Sequence, residues 1–332
     1  MPSLLRRRFL HAAGAWLAAP LARAQPARAG MRRVAWLTAG SPTTHAKLLD
    51  AFRAGLQEHG WVEGRNLVLE LRWAEGRLDR VAELAADVVR SKPDVILTAA
   101  NVVNVAMKQA TSTIPIVMAA STDPVGAGLA QSLARPGGNA TGVTGFYEAT
   151  PVKMLEIASS FLPRGARLAV LVDTGYTTSN LYERMRADLE GFARTAGFRL
   201  EFIEAGSADE VTRKLGTLAR SKPAALLIAP GALIYAMGSS LVMAAGALEL
   251  PVIYPFEEMV DAGGLMSYSV DLAANYRRAA RYVDLILKGS DPATLAIEQP
   301  THLALIINLR TAKALRLALP RELLTRADRL VE

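Results

Sequence analysis

Arg90-Ser-Lys-Pro-Asp-Val-Ile-Leu-Thr-Ala99 and Arg220-Ser-Lys-Pro-Ala-Ala-Leu-Leu-Ile-Ala229 are the stretches that decide the fold. In each, the same four residues, Arg-Ser-Lys-Pro, join the end of a helical segment to a short apolar run. Runs of this length between turn signals read as buried strands. Each run is followed by a helical segment and then by a proline-led strand, Ile114-Pro-Ile-Val117 in one half and Leu250-Pro-Val-Ile253 in the other. The period is 130 residues. Solenoid units repeat every 20–50 residues or so, so this spacing points instead to two similar α/β lobes.

The pattern holds outward from these points. Arg33–Ala39, Asn66–Trp73, Asp94–Ala99 and Ile114–Ala119 read as strands in the first half. Helical periodicity fills Thr43–Gly60 and Leu78–Ser91 between them. In the second half the strands are Arg167–Val172, Arg199–Glu204, Ala224–Ala229 and Pro251–Tyr254. Helices are expected at Thr178–Ala196, Asp209–Arg220 and Ile234–Leu248. Strands alternating with helices imply βαβ units and parallel sheets. The expected fold is therefore α/β, with two similar doubly wound parallel-sheet lobes. Ligands of such sheets sit beyond the carboxyl ends of the strands. Two sheets facing each other would make a cleft lined by strand-end loops, closing on a small ligand.

The N-terminus reads as an address. Arg6-Arg7-Arg8 precede an apolar stretch, Phe9–Leu21, which ends at the small-x-small site Ala22-Arg23-Ala24. That is the layout of an export signal. The apolar run is shorter than the ~20 residues of a spanning helix and is interrupted by His11, Gly14 and Pro20. Arg6-Arg7-Arg8-Phe9-Leu10 also resembles the twin-arginine signal, with Leu5 and His11 departing from its usual flanks. Residues 1–24 are thus expected to be a signal peptide and 25–31 a linker, and the protein to work in the periplasm.

Composition narrows the function. The formal charge is +7, but Arg6, Arg7, Arg8 and Arg23 lie in the first 24 residues, which contain no acid; the rest of the chain carries only +3. No nucleic-acid footprint is expected from so mild a balance. The absence of cysteine excludes disulfides, thiolate metal sites and a Cys nucleophile. No Gly-x-Ser-x-Gly elbow, phosphate loop or His-Glu-x-x-His motif occurs. Gly40-Ser-Pro stands where a dinucleotide fingerprint would follow the first strand. No enzyme, cofactor or metal is expected.

Candidate ligand residues fall at strand ends. Ser41 can cap the next helix or donate to a ligand, and helix N-termini favour anions. Asn101 sits at the corresponding place after Asp94–Ala99. Ser121 and Thr122 can bond a carboxylate, and Asp123 either an ammonium or the turn before Pro124. Asp173 follows the strand Arg167–Val172. Tyr254 and Phe256 can stack on an apolar or aromatic ligand. Glu257 can receive an ammonium or serve as a helix-start acid. Tyr268 and Asp271 lie near the last glycine pair, Gly263-Gly264.

The C-terminal third adds a series of short motifs in order. These are Tyr254-Pro-Phe-Glu257, Gly263-Gly-Leu-Met-Ser-Tyr268, Tyr276-Arg-Arg-Ala-Ala280, Glu298-Gln-Pro-Thr301, Ile307-Asn-Leu309 and Thr311-Ala-Lys-Ala-Leu315. Upstream stand Asp123-Pro-Val-Gly-Ala-Gly-Leu129, Ala134-Arg-Pro-Gly-Gly-Asn139 and Thr141-Gly-Val143. Together, over about residues 32–332, they resemble the ABC-transporter substrate-binding family that includes the TrpX-type tryptophan-binding proteins. The resemblance implies a type I periplasmic-binding-protein fold with a three-crossing hinge, a small-molecule ligand such as an amino acid, and the membrane permease of an ABC importer as partner. On that basis lobe one comprises residues 32–145 plus about 269–299, and lobe two 146–268 plus about 300–332. The crossings are expected at Gly142–Gly145, after Gly263-Gly264 through Leu265–Tyr268, and at Gln299-Pro300. An exported ligand sensor with the same lobes and no transporter is the alternative function.

N-terminal sequencing of protein from fractionated cells should show a mature chain beginning near Gln25 in the periplasmic fraction. A full-length cytoplasmic species would overturn the export reading. Replacing Arg6 and Arg7 by Lys should abolish export on the twin-arginine route, and leave a general-route signal working.

Overall fold

The computed structural model describes residues 30–145, 150–176, 181–300 and 302–332. The expected signal peptide lies outside the described residues. From Met31 onward the chain is one compact unit.

The first sheet is built by β1 (Arg32–Thr38), α1 (Ala46–Glu58), β2 (Leu67–Trp73), α2 (Val81–Ser91), β3 (Val95–Ala99), α3 (Asn101–Ala110), β4 (Ile116–Ala120) and β5 (Ala140–Gly142). The second follows with α4 (Thr150–Ser159), β6 (Arg167–Asp173), α5 (Leu181–Ala196), β7 (Arg199–Ala205), α6 (Ala208–Ser221), β8 (Ala225–Ile228), α7 (Ala232–Met237), α8 (Ser239–Gly246), β9 (Val252–Tyr254), α9 (Glu257–Asp261) and β10 (Met266–Ser269). Then come α10 (Leu272–Leu287), β11 (Ala304–Asn308), α11 (Leu309–Ala314), α12 (Arg321–Arg326) and β12 (Arg329–Val331).

The strand orders are β2-β1-β3-β4-β5 and β12-β11-β10-β9-β8-β6-β7. Read from β7 to β10, the second sheet repeats the order of the first strand for strand. The shared Arg-Ser-Lys-Pro is a helix stop in both halves. Lys92 and Lys222 take left-handed backbone angles, φ 51° and 42°, and close α2 and α6. Ser91 and Ser221 each donate a hydroxyl to the carbonyl three residues back, Val88 and Leu218. Proline then forbids a further turn and sends the chain into the next strand.

The two parallel-sheet lobes are present, and the second sheet adds one antiparallel pair, β10 and β11, with Met266 opposite Ile307 and Ser269 opposite Ala304. The reason is the route of the chain. After β10 it departs for the first lobe, and it returns along the same side, so β11 must run back the other way. The single helix expected over Ile234–Leu248 is two helices. Gly238, at φ 51°, breaks it between α7 and α8.

The chain passes between the sheets three times. It leaves β5 for α4, which packs against β8 and β10. It leaves β10 for α10, and it leaves Glu298 for β11. The first and third connections run side by side. Val143 and Glu298 form a parallel bridge, with Thr144 N–H donating to Glu298 O at 2.8 Å and Glu298 N–H to Gly142 O at 2.9 Å. Asn275 at the start of α10 donates to Thr144 O and ties the second connection to them.

α10 returns to the first lobe, where it lies along α1 and across β3 and β4. Its Tyr276 is buried against Trp36 of β1, ring centroids 5.2 Å apart. Close approach of α1 and α10 requires glycine at position 55. A Cβ there would come within 2.7 Å of Arg277 O and 2.8 Å of Ala280 Cβ.

Gly55→Leu should therefore lower unfolding stability by about 3 kcal/mol, as overpacking of a closed contact does. Gly216→Ala, in α6 with nothing within 4 Å of the added methyl, should raise it by roughly 0.5–1 kcal/mol through helix propensity. Chemical denaturation of the two variants checks both; a neutral Gly55→Leu would remove α1–α10 packing from the account of the fold.

Candidate functional site

The carboxyl ends of the strands in the two sheets converge on one cavity of about 590 Å³. Thr38, Ala99 and Ala120 bring the ends of β1, β3 and β4. Asp173 brings the end of β6, Pro230-Gly231 the loop after β8, and Phe256 the residue beyond β9. Leu272 and Tyr276 of α10 close the side next to the crossings.

One wall is aromatic. His45 of the first lobe meets Tyr235 of the second edge-on, centroids 4.8 Å apart at 77°. Tyr235 in turn meets Phe256 at 4.9 Å and 85°. The imidazole is held on both nitrogens, Nε2 by Thr38 Oγ1 at 2.8 Å and Nδ1 by Thr44 Oγ1 at 3.0 Å. Burial pushes its pKa down to about 4, so at neutral pH this wall carries no charge. Val102, Val105, Ala106 and Leu181 extend the apolar lining toward the opposite end.

The polar part is small. Asp173 is 1% exposed, and its Oδ2 accepts the N–H of Leu233 at 3.1 Å, capping the start of α7. Gly231 admits that carboxylate, since a Cβ there would stand 1.9 Å from Asp173 Oδ2. Across the cavity the first turn of α3 opens through Ala100, Asn101 and Val102, beside Thr122. The first N–H groups of any helix have no partner within it and present positive potential. No lysine or arginine lines the cavity among the described residues.

Of the residues singled out from sequence, Asn101, Thr122, Asp173 and Phe256 line this cavity. The others do not. Ser41 exchanges hydrogen bonds with Thr44 in the turn before α1. Ser121 is buried and donates its hydroxyl to Asn101 Oδ1 at 3.0 Å. Asp123 accepts the N–H of Gly126 at 2.8 Å and pairs with Arg184 of α5. Glu257 pairs with Lys47 of α1 at 2.6 Å. Tyr254 is buried in the core, its hydroxyl pKa raised by that burial. Tyr268 faces Leu305 in the β10–β11 ladder. His45, Tyr235 and Tyr276 were missed. A usable signal existed for the first two, which stand in the first turns after strand ends, where the same rule that found Asn101 would have placed them.

Asn101 itself is a clamp. Its Oδ1 accepts from Ser121 Oγ and from Thr122 N–H at 2.8 Å, and its Nδ2 donates to Thr122 O at 2.6 Å. The amide thus holds the loop after β4 against the start of α3.

The family model for ABC transporter substrate binding proteins matches residues 41–331. The chain belongs to that family. Its members are binding proteins, not enzymes, and take small-molecule ligands. A tyrosine-binding protein of Clostridioides difficile (strain R20291) is 27% identical over 272 residues, which cover 81% of this chain and 76% of that protein. A conserved domain protein of Vibrio cholerae is 26% identical, with TM-score 0.80 over 90% of this chain and 99% of that one. A Streptococcus pneumonia ABC domain solved in complex with L-Trp shares the fold at 22% identity, TM-score 0.79, with 90% and 99% covered. The fold is that of the type I periplasmic binding proteins.

Asn101→Ala should weaken folding and binding together. It leaves the N–H of buried Thr122 without its acceptor, a loss of about 1–3 kcal/mol. A thermal melt and a ligand titration on the same preparation measure both. Weaker binding with an unchanged melt would make Asn101 a direct ligand contact and not a clamp.

Proposed function

We propose that this protein is an exported solute-binding protein that captures an amino acid with an apolar or aromatic side chain and delivers it to the membrane permease of an ABC importer. One observation carries the reading. The cavity between the lobes has an uncharged aromatic wall and a single acidic side chain among its described lining residues. Such a lining suits a ligand with one ammonium, for Asp173, and an apolar body, for Phe256, His45, Tyr235 and Tyr276. The ligand carboxylate rests at the start of α3, with Asn101 and Thr122 beside it. A buried site with no basic side chain among its described lining residues suits a carboxylate where helix N–H groups neutralise it. The names of the relatives, a tyrosine-binding protein and a domain in complex with L-Trp, support the same ligand class.

The bodies that move on closure are residues 32–145 with about 269–299, and 146–268 with about 300–332. Export to the periplasm rests on Arg6–Arg8, the apolar stretch and Ala22-Arg23-Ala24. No helix among the described residues is long and apolar enough to cross a membrane. The permease as partner follows from the family.

Calorimetry should find one site for L-tryptophan, L-tyrosine or L-phenylalanine, with the amino acid recovered intact after long incubation. Asp173→Asn keeps the size of the side chain and removes its charge. It should cost about 1.5–3 kcal/mol, a 10- to 150-fold loss, for amino acids, and little for indole-3-propionate, which has no ammonium. If none of the three amino acids binds, the ligand class is wrong; if Asp173→Asn binds them like the parent, the ammonium lies elsewhere.

A further inference from the structure

Two acids that the sequence offered as ligand contacts bridge the lobes instead. Glu257 of α9 accepts from Lys47 of α1 at 2.6 Å. Asp123, in the loop after β4, pairs with Arg184 of α5. In each pair one partner belongs to the first lobe and the other to the second. None of the four lines the cavity. All stand beside residues that do: Lys47 near His45 and Leu48, Glu257 next to Phe256, Asp123 next to Thr122, and Arg184 one turn from Leu181. The pairs flank different ends of the cavity, one at its aromatic wall and one at the start of α5. The side next to the chain crossings is closed by α10.

We propose that Lys47–Glu257 and Asp123–Arg184 form a two-point ionic latch, which holds the lobes shut over the cavity without touching the ligand. The four are positioning residues. Opening the cleft must separate both pairs, so each adds to the closed population and slows escape. Lys47 and Arg184 are half exposed, at 50% and 53%, and their acids about one-fifth exposed. Ion pairs of this exposure are weak and salt-sensitive, each contributing about a 1.5- to 5-fold bias. Glu258 and Asp261 also lie close enough to act on the Lys47 ammonium. A reversed charge at 47 would therefore face three acids and oppose closure more strongly than simple loss of the pair. Asp123 also caps its own loop through Gly126 N–H, so the Lys47–Glu257 pair is the cleaner one to exchange.

The proposal requires two lobes with a cavity between them, whatever ligand fills it, and its test reads closure directly. The chain has no cysteine, so Ala86→Cys in α2 and Ala219→Cys in α6 give one label on each lobe. Distances between spin labels then report the open and closed populations with no ligand added. At low salt the parent should hold a closed population that Lys47→Glu and Arg184→Glu each reduce about 3-fold or more. Lys47→Glu combined with Glu257→Lys should restore it in part, since Glu258 and Asp261 still face position 47. Raising salt to 1 M, where the Debye length shrinks to about 3 Å, should lower the parent's closed population, and lower by less that of Lys47→Met/Glu257→Met, which keeps only the Asp123–Arg184 pair. L-tryptophan titrated against the same set should show the loss and rescue as changes in dissociation rate. Unchanged distances in Lys47→Glu, or a loss that the exchanged pair does not restore, would overturn the latch. Absence of L-tryptophan binding with the distance effects intact would fault the ligand assignment and leave the latch standing.

Discussion

The packing of α10 on α1 is the constraint on which the rest of the molecule depends. α10 follows β10 of the second sheet, yet its buried face belongs to the first lobe. Gly55 lets the two helices approach to backbone contact, and Tyr276 reaches through to Trp36. That docking pulls the chain out of the second sheet and back again. It accounts for the antiparallel entry of β11, for the side-by-side first and third connections, and for the closed side of the cavity. A chain whose tenth helix stayed with its own sheet would have two separate lobes and no shared cavity floor.

Charge is used sparingly within the cavity and more freely around it. Among the described lining residues, a neutral imidazole and one carboxylate stand with mostly apolar groups and a few neutral polar ones. Asp173 is engaged with the start of α7, which helps an acid remain buried. Asp123 and Glu257, beside the cleft, pair across the lobes. A buried charge is costly unless it is met, so a site closing on ligands of one net charge pattern keeps only those it can match. The surrounding ion pairs, half exposed, are cheap to make and to break, which suits a contact that must open.

Much of the fold was legible because it rests on local rules. Arg-Ser-Lys-Pro reads as a helix stop before a strand whatever surrounds it, since proline removes an N–H and the preceding residues close the helix on themselves. Its recurrence gave two lobes, and four of the residues picked at strand ends, Asn101, Thr122, Asp173 and Phe256, line the cavity. What the sequence could not show is pairing between residues remote from one another along the chain. Glu257 meets Lys47 and Asp123 meets Arg184 only because two lobes face each other. Tyr254 looked like a stacking group, but the pleat turns it into the core.

By itself the sequence determined the repeated α/β architecture, the alternation of strands and helices along the chain, and the strand ends from which loops arise. These follow from hydrophobic periodicity and turn chemistry, which act over a few residues. Tertiary structure alone decided which strand-end residues face the cavity and which face one another. It turned Asn101 into a clamp, Asp123 and Glu257 into bridges between lobes, and His45 with Tyr235 into a wall. The physical reason is that a side chain's role depends on what lies across from it, and here the opposite surface is supplied by residues about 20 to 210 positions away.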